Sequence, residues 1–191
     1  DSAARLAEMV TRQQGKPGFA IDFYFYRSHV TYQTELEQIV YKSWIYAGHI
    51  SQIPNHGDYF LFELGEDSII VSRDDIGKVQ VMHNICRHRG SRVCEEKSGN
   101  RKTYVCPYHG WVYNTDGSLM TARDMDLLEG FSCDDYGLKQ VRFEVFQGMI
   151  FINLDDEAGC KMEIVPGKLS GVLSLCHFPS SLCQGPYPEG A

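Results

Sequence analysis

Hydrophobic residues change their spacing once along this chain. Within residues 2–13, Ala3, Leu6, Ala7 and Val10 fall on one helical face, and Gly15 and Pro17 lie just beyond, so the pattern predicts a helix that stops there. A second helix is expected over 35–43, where Leu36, Ile39, Val40 and Trp44 recur at helical spacing and Thr34 with Glu37 forms a capping-box pattern. After Trp44 the apolar runs become short, rich in β-branched and aromatic residues, and punctuated by turn signals. Residues 59–64, 68–73 and 79–84 read as strands, broken by Gly65-Glu66-Asp67 and Asp74-Asp75-Ile76-Gly77. Two short strands are expected at 103–105 and 111–113, with Asp116-Gly117 as a hairpin turn, and 141–146 with 149–154 form a last hairpin around Gln147-Gly148. The expected fold is mainly β, an antiparallel β-sandwich preceded by short N-terminal helices. The chain divides accordingly into a helical segment 1–43, a β domain 44–155 and a tail 156–191.

The candidate chemistry sits on two of the expected loops. Cys86-Arg87-His88 is followed, after seventeen residues, by Cys106-Pro107-Tyr108-His109. Cys-x-His paired with Cys-x2-His is the ligand pattern of a Rieske [2Fe-2S] cluster, in which two thiolates hold one iron and two imidazoles the other. The spacing assigns Cys86 and Cys106 to the first iron, and His88 and His109 to the second. Gly90 and Gly110 follow the two pairs and give each loop the backbone freedom for a sharp turn. Ile85, Val93, Tyr108 and Trp111 are the apolar and aromatic residues expected to shield the sulfur atoms. A tetrahedral zinc site is the alternative use of two Cys and two His, although zinc motifs usually pair like with like.

The residues around these pairs resemble a known family. Cys86-Arg-His-Arg-Gly-Ser-Arg92 and Cys106-Pro-Tyr-His-Gly-Trp-Val-Tyr-Asn-Thr-Asp-Gly-Ser-Leu119 are similar to the Rieske domain of the large (alpha) subunit of Rieske non-haem iron oxygenases, the ring-hydroxylating dioxygenase type. The resemblance extends to Trp44-Ile-Tyr-Ala-Gly-His49, Pro54-Asn-His-Gly-Asp-Tyr-Phe60 and Gly148-Met-Ile-Phe-Ile-Asn-Leu154, covering about residues 20–155. It implies a Rieske-type β-sandwich with two cluster-binding loops. It also implies electron supply by an NAD(P)H-dependent reductase or a ferredoxin, and delivery to a mononuclear non-haem iron that acts on an aromatic or quaternary ammonium substrate. The full-length family members are implied to be homotrimers. Rieske proteins of respiratory complexes carry an extra cysteine in each ligand loop and a serine that donates to the cluster; the matching positions here are Ser91, Tyr108 and Trp111. Fewer donors to the sulfurs predict a low reduction potential.

Composition narrows the setting. An apolar fraction of 43% with 12% aromatics supports a packed core, and no run reaches the roughly 18 apolar residues a membrane span needs. A formal charge of -7 argues against nonspecific nucleic-acid binding. Seven cysteines, an odd number, fit reduced thiols in a cytoplasmic protein, and no signal peptide is read at the start. His29, His49, His56 and His83 are isolated and are read as ordinary core or surface residues. Cys94 is read as a small hydrophobe, and Arg87, Arg89 and Arg92 as solvated charges or a docking rim for an acidic redox partner. The acids of 120–138, Asp124, Asp126 and Glu129, are expected to form a solvated face.

The tail carries Cys176, His177 and Cys183 at spacing that matches no metal motif, and from Pro166 to Pro188 it has no Asp or Glu. It does not resemble the catalytic domain that follows in the family, so the chain is read as a fragment whose frame changes after about Glu157. The facial triad that would hold mononuclear Fe(II) needs two histidines and a carboxylate, and beyond His109 the sequence contains His177 alone. No catalytic residue is therefore assigned within this chain, and the Fe(II) site is expected only in a catalytic domain beyond it. Three function classes stand at this point: the relay domain of an oxygenase large subunit, a free-standing Rieske ferredoxin, and a zinc-stabilised binding module.

Overall fold

The computed structural model describes residues 1–125 and 127–155. Asp1–Trp44 belong to one compact unit and residues 45–155 to another. In the first unit, α1 (Ala3–Gln14) is capped by Ser2, whose hydroxyl accepts from the Arg5 amide, and ends at Gly15. The chain then forms α2 (Phe23–Arg27) and α3 (His29–Glu35), which runs on into a π-helical turn, Leu36–Val40.

The second helix thus starts well before the sequence pattern places it. Ser28 is its cap, accepting from Thr31 N at 3.0 Å, while the Thr34 hydroxyl donates back to Val30 O at 2.7 Å instead of capping anything. A Ser/Thr side chain mid-helix commonly makes this bond to the preceding turn, which leaves a capping box at Thr34 without its acceptor.

The second unit is built of antiparallel strands. In chain order they are β1 (Ile45–His49), β2 (Asp58–Leu64), β3 (Asp67–Arg73), β4 (Val79–His83), β5 (Ser98–Asn100), β6 (Thr103–Val105), β7 (Val112–Asn114), β8 (Leu119–Thr121), β9 (Arg142–Phe146) and β10 (Met149–Asn153). They assemble as three sheets with orders β1-β10-β9, β4-β3-β2-β5 and β6-β7-β8. The β1–β10 pairing joins Ile45 to Ile152 and His49 to Met149.

Alternation along the central sheet explains the layering. Tyr59, Ile70 and Met82 project into one apolar core, and Phe60, Ile69, Val71 and Val81 into the other. Successive side chains on a strand point to opposite faces, so a sheet covered on both sides can bury every residue from Ser68 to Ser72. The first core also holds Cys86, Cys106, Trp111 and Tyr113, with Tyr104 and Leu119 from the small β6-β7-β8 sheet. The second core takes Ile150 and Ile152 from β10. Fully burying an aliphatic side chain of this size contributes about 2 kcal/mol. The mainly β, antiparallel architecture behind short N-terminal helices is the fold expected from the sequence.

Among the described residues no helix is long and apolar enough to cross a membrane. The tail residues Cys176, His177 and Cys183, the proposed change of frame, and Asp126 lie outside the described residues. Asp124 and Glu129 are exposed, as expected of a solvated face.

Candidate metal centre

Two loops carry the four candidate ligands, and they are folded alike. In the first, Cys86 N donates to Ser91 O at 2.8 Å and Gly90 N to Cys86 O at 3.0 Å; in the second, Cys106 N donates to Trp111 O at 2.8 Å and Gly110 N to Cys106 O at 3.0 Å. Gly90 and Gly110 take φ of +74° and +72°, and a methyl group added at either would meet no atom within 4 Å, so backbone conformation and not lack of room calls for glycine.

The loops bring thiol to thiol and imidazole to imidazole. Cys86 and Cys106 are each 2% exposed, and burial pushes the Cys86 thiol upward, with the neighbouring Cys106 adding to the effect. The His88 and His109 rings lie 4.6 Å apart at 74°. Burial, followed by His109 and Arg89, holds His88 below the usual imidazole range, which favours the neutral ring that a metal requires. Nδ1 of His88 and Nδ1 of His109 are both buried without a hydrogen-bond partner. Unpaired buried polar atoms are costly, so two of them side by side point to a ligand that takes both.

The donors divide two and two, not four around a point. Among the described residues no three His, Cys, Asp or Glu side chains converge as a single ion would need. Two thiols for one metal and two imidazole nitrogens for a second is the arrangement a [2Fe-2S] cluster of Rieske type would fill.

The surroundings differ in part from the sequence expectation. Val93 and Trp111 are buried beside the thiols, but Ile85 is 39% and Tyr108 59% exposed. Tyr108 lies over His109, centroids 3.8 Å apart, with much of its surface in solvent. Trp111 stacks on His88 at 5.0 Å and 12°, and is itself held by Phe131 and Tyr136 at 5.9 Å each. The hydroxyl that reaches the sulfurs is that of Tyr113, not Tyr108. Tyr113 Oη lies 3.2 Å from Cys86 Sγ and accepts from Arg87 N at 3.1 Å. Once Cys86 is a thiolate, which can only accept, the phenol is the donor to the sulfur, and burial raises the Tyr113 pKa so that the proton is retained. Sequence reading missed Tyr113 because its role depends on the β6–β7 pairing turning its side chain inward.

The remaining candidates find ordinary partners. Arg92 is paired bidentately with Glu63 at 3.1 Å and 3.1 Å, and the exposed Arg87 donates to Gly137 O at 3.4 Å. His49 caps a short 3-10 turn through Ser51, and His83 lies 3.9 Å from Asp67. The Cys94 thiol is pushed up to about 11 by burial, an inert state for a cysteine.

Comparison with known proteins agrees with this geometry. The Rieske [2Fe-2S] domain family matches residues 43–132. The alpha subunit of biphenyl 2,3-dioxygenase from Rhodococcus jostii (strain RHA1) is 38% identical over 156 residues, 81% of this chain and 33% of the relative. The glycine betaine monooxygenase oxygenase subunit of Chromohalobacter salexigens is 36% identical over 151 residues, 79% of this chain and 33% of its own length. Among solved structures, naphthalene 1,2-dioxygenase from Rhodococcus sp. superposes with a TM-score of 0.73 at 29% identity, covering 82% of this chain and 37% of that one. A quaternary ammonium Rieske monooxygenase superposes with a TM-score of 0.65 at 33% identity, covering 72% of this chain and 38% of that one. The chain therefore spans about a third of the length of the relatives it matches.

Proposed function

We propose, from the premise that residues 43–132 belong to the Rieske [2Fe-2S] domain family and resemble oxygenase alpha subunits, that this chain relays electrons through a cluster bound by Cys86, Cys106, His88 and His109. The paired thiols and the two partnerless Nδ1 atoms support this reading most directly. The cysteines would hold one iron as thiolates and the histidines the other through Nδ1, the atoms left without a hydrogen-bond partner. When bound, the cluster supplies a one-electron couple. The apolar core around Cys86 and Cys106 excludes water from the sulfur side, while the partly exposed histidine side gives the short approach an electron donor or acceptor needs.

The donor is an NAD(P)H-dependent reductase or ferredoxin. The acceptor is a mononuclear non-haem iron of an oxygenase that acts on an aromatic or quaternary ammonium substrate, the two classes represented among the relatives. The oxygenase assembles as a homotrimer and works in the cytoplasm, where Cys94 and Cys133 stay reduced and Cys86 and Cys106 are kept from disulfide formation for the cluster. A free-standing ferredoxin is disfavoured because the match to the biphenyl relative runs over 156 residues, well beyond the 43–132 of the domain itself.

Anaerobically purified chain is expected to carry two irons and two sulfides, and on reduction to give a paramagnetic signal whose average g lies below that of an all-cysteine cluster, as imidazole ligation requires. Stoichiometric zinc in their place refutes the proposal.

Tyr113 gives a second expectation. A hydrogen bond donated to a ligand sulfur favours the reduced, more negative cluster, so Tyr113→Phe lowers the midpoint potential. A differential worth about 1.4 kcal/mol corresponds to about 60 mV for one electron. Redox titration of the two proteins checks it, and an unchanged or raised potential contradicts it.

A further inference from the structure

The two ligand loops share one turn but not one foundation. The second is the end of a hairpin: Val105 pairs with Val112 across the β6–β7 ladder, so its ends are fixed immediately outside Cys106 and Trp111. The first leaves β4 at His83, and the chain returning from it, residues 92–97, belongs to no strand. No ladder closes it.

Asn84 stands where that ladder is missing. It is 0% exposed, and its backbone N–H donates to Ser68 O at 2.8 Å, extending the β3–β4 pairing by one residue. Its side-chain oxygen accepts from Val93 N at 2.9 Å and Cys94 N at 2.8 Å. Its side-chain nitrogen donates to Cys94 O at 2.7 Å and to Ser68 Oγ at 3.1 Å. A primary amide has two donors and two acceptor positions, and all four are used. Ser68 Oγ in turn donates to Glu63 Oε1 at 2.8 Å, and the Glu63 carboxylate holds Arg92, the residue before Val93.

We propose that Asn84 is a positioning residue for the cluster: its amide replaces the missing strand pair and clamps the two ends of the loop that carries Cys86 and His88. The inference rests on the ligand assignment proposed above. Cys86 and His88 lie between the clamped ends, so releasing Val93 and Cys94 lets both ligands drift from their partners on the rigid second loop. Alanine at 84 also leaves two buried N–H groups without an acceptor, which favours an opened loop.

The test uses the cluster-loaded chain as wild type, Asn84→Ala, Asn84→Asp and Ile150→Ala. Ile150 is fully buried in the second core, away from the thiols, and serves as a comparably destabilised control. Asparagine to aspartate keeps the shape and both acceptor contacts but replaces the donor to Cys94 O with a carboxylate oxygen. Two readouts are taken well below the unfolding temperature: the half-time of visible bleaching after dilution into an iron chelator, and the line width of the reduced cluster's paramagnetic spectrum.

Asn84→Ala is expected to bleach about tenfold faster than wild type or more, in keeping with the effect of outer-shell partners on metal sites. Asn84→Asp, which serves also if the alanine variant fails to fold, is expected to bleach at least about threefold faster, a part of the same outer-shell effect. Both spectra broaden as the ligand geometry becomes heterogeneous. Ile150→Ala melts at lower temperature yet keeps the wild-type spectrum and half-time. An Asn84→Asp protein with wild-type half-time and line width overturns the inference. A wild-type chain that takes up zinc or no metal overturns the ligand assignment beneath it instead.

Discussion

His109→Ala is expected to lose the cluster while keeping the fold. Alanine leaves the second iron with His88 as its one protein donor and leaves a gap next to Tyr108, whose ring now lies on the imidazole. The β6–β7 ladder on which the loop sits uses backbone groups of Thr103, Tyr104 and Val105, none of which depends on the histidine. Iron and sulfide per chain should fall at least about tenfold, no less than the loss typical of an outer-shell change, with the visible bands and the paramagnetic signal. Far-ultraviolet circular dichroism should stay close to wild type. Cys106→Ser should behave likewise, because a serine hydroxyl is a poor substitute for a thiolate on iron. Either variant retaining a full complement of iron and sulfide with an unchanged spectrum would remove its residue from the ligand set.

The second large effect is on potential. Rieske centres range from about -150 to +300 mV, and donors to the sulfurs are one of the levers that set the value. Here Trp111 is stacked on His88, offering a ring face where a hydroxyl donor would raise the potential. Tyr108 and Ser91 stand where a bracing disulfide is found in the respiratory proteins, and the Cys86, Cys94, Cys106 and Cys133 thiols are free. Tyr113 is the hydroxyl seen to reach Cys86 Sγ. The midpoint is accordingly expected near the low end, about -150 mV. Protein-film voltammetry at neutral pH measures it, and a value above about +100 mV, in the upper half of that range, would show that other donors to the sulfurs outweigh those identified.

Much of this was readable from the residues because the decisive signals are local. Cys86, His88, Cys106 and His109 lie within two short segments, and the strands at Tyr59–Leu64 and Ser68–Arg73 announce themselves by β-branched and aromatic content between turn residues. What escaped is what pairing over distance creates. β5 is Ser98-Gly99-Asn100, wholly exposed, and forms a strand through its register with Asp58, Tyr59 and Phe60 rather than through any pattern of its own. β1 pairs with β10 across about a hundred residues of sequence, a partnership no window can contain. Asn84 and Tyr113 look like a polar strand end and a core aromatic until the fold brings Cys94 to one and Cys86 to the other. The helix expected over 35–43 was misplaced for the opposite reason, since a local cap signal at Thr34 lost to the competing cap at Ser28, while the first helix lies where its pattern put it.

The β1–β10 pairing has a consequence for how such a unit is carried in a longer polypeptide. The strand at which the chain enters and the last strand described lie side by side, with Ile45 opposite Ile152, which places their Cα atoms about 5 Å apart. A module with entry and exit so close can be inserted into a host chain at one point without prising the host apart, and it tolerates circular permutation at an exposed loop. The neck is anchored in the core of Ile53, Phe60, Ile69 and Val71, a group that shares no residue with the one holding the thiols. Tension arriving along the flanking chain is therefore expected to load the β1–β10 pair before it reaches Cys86 and Cys106.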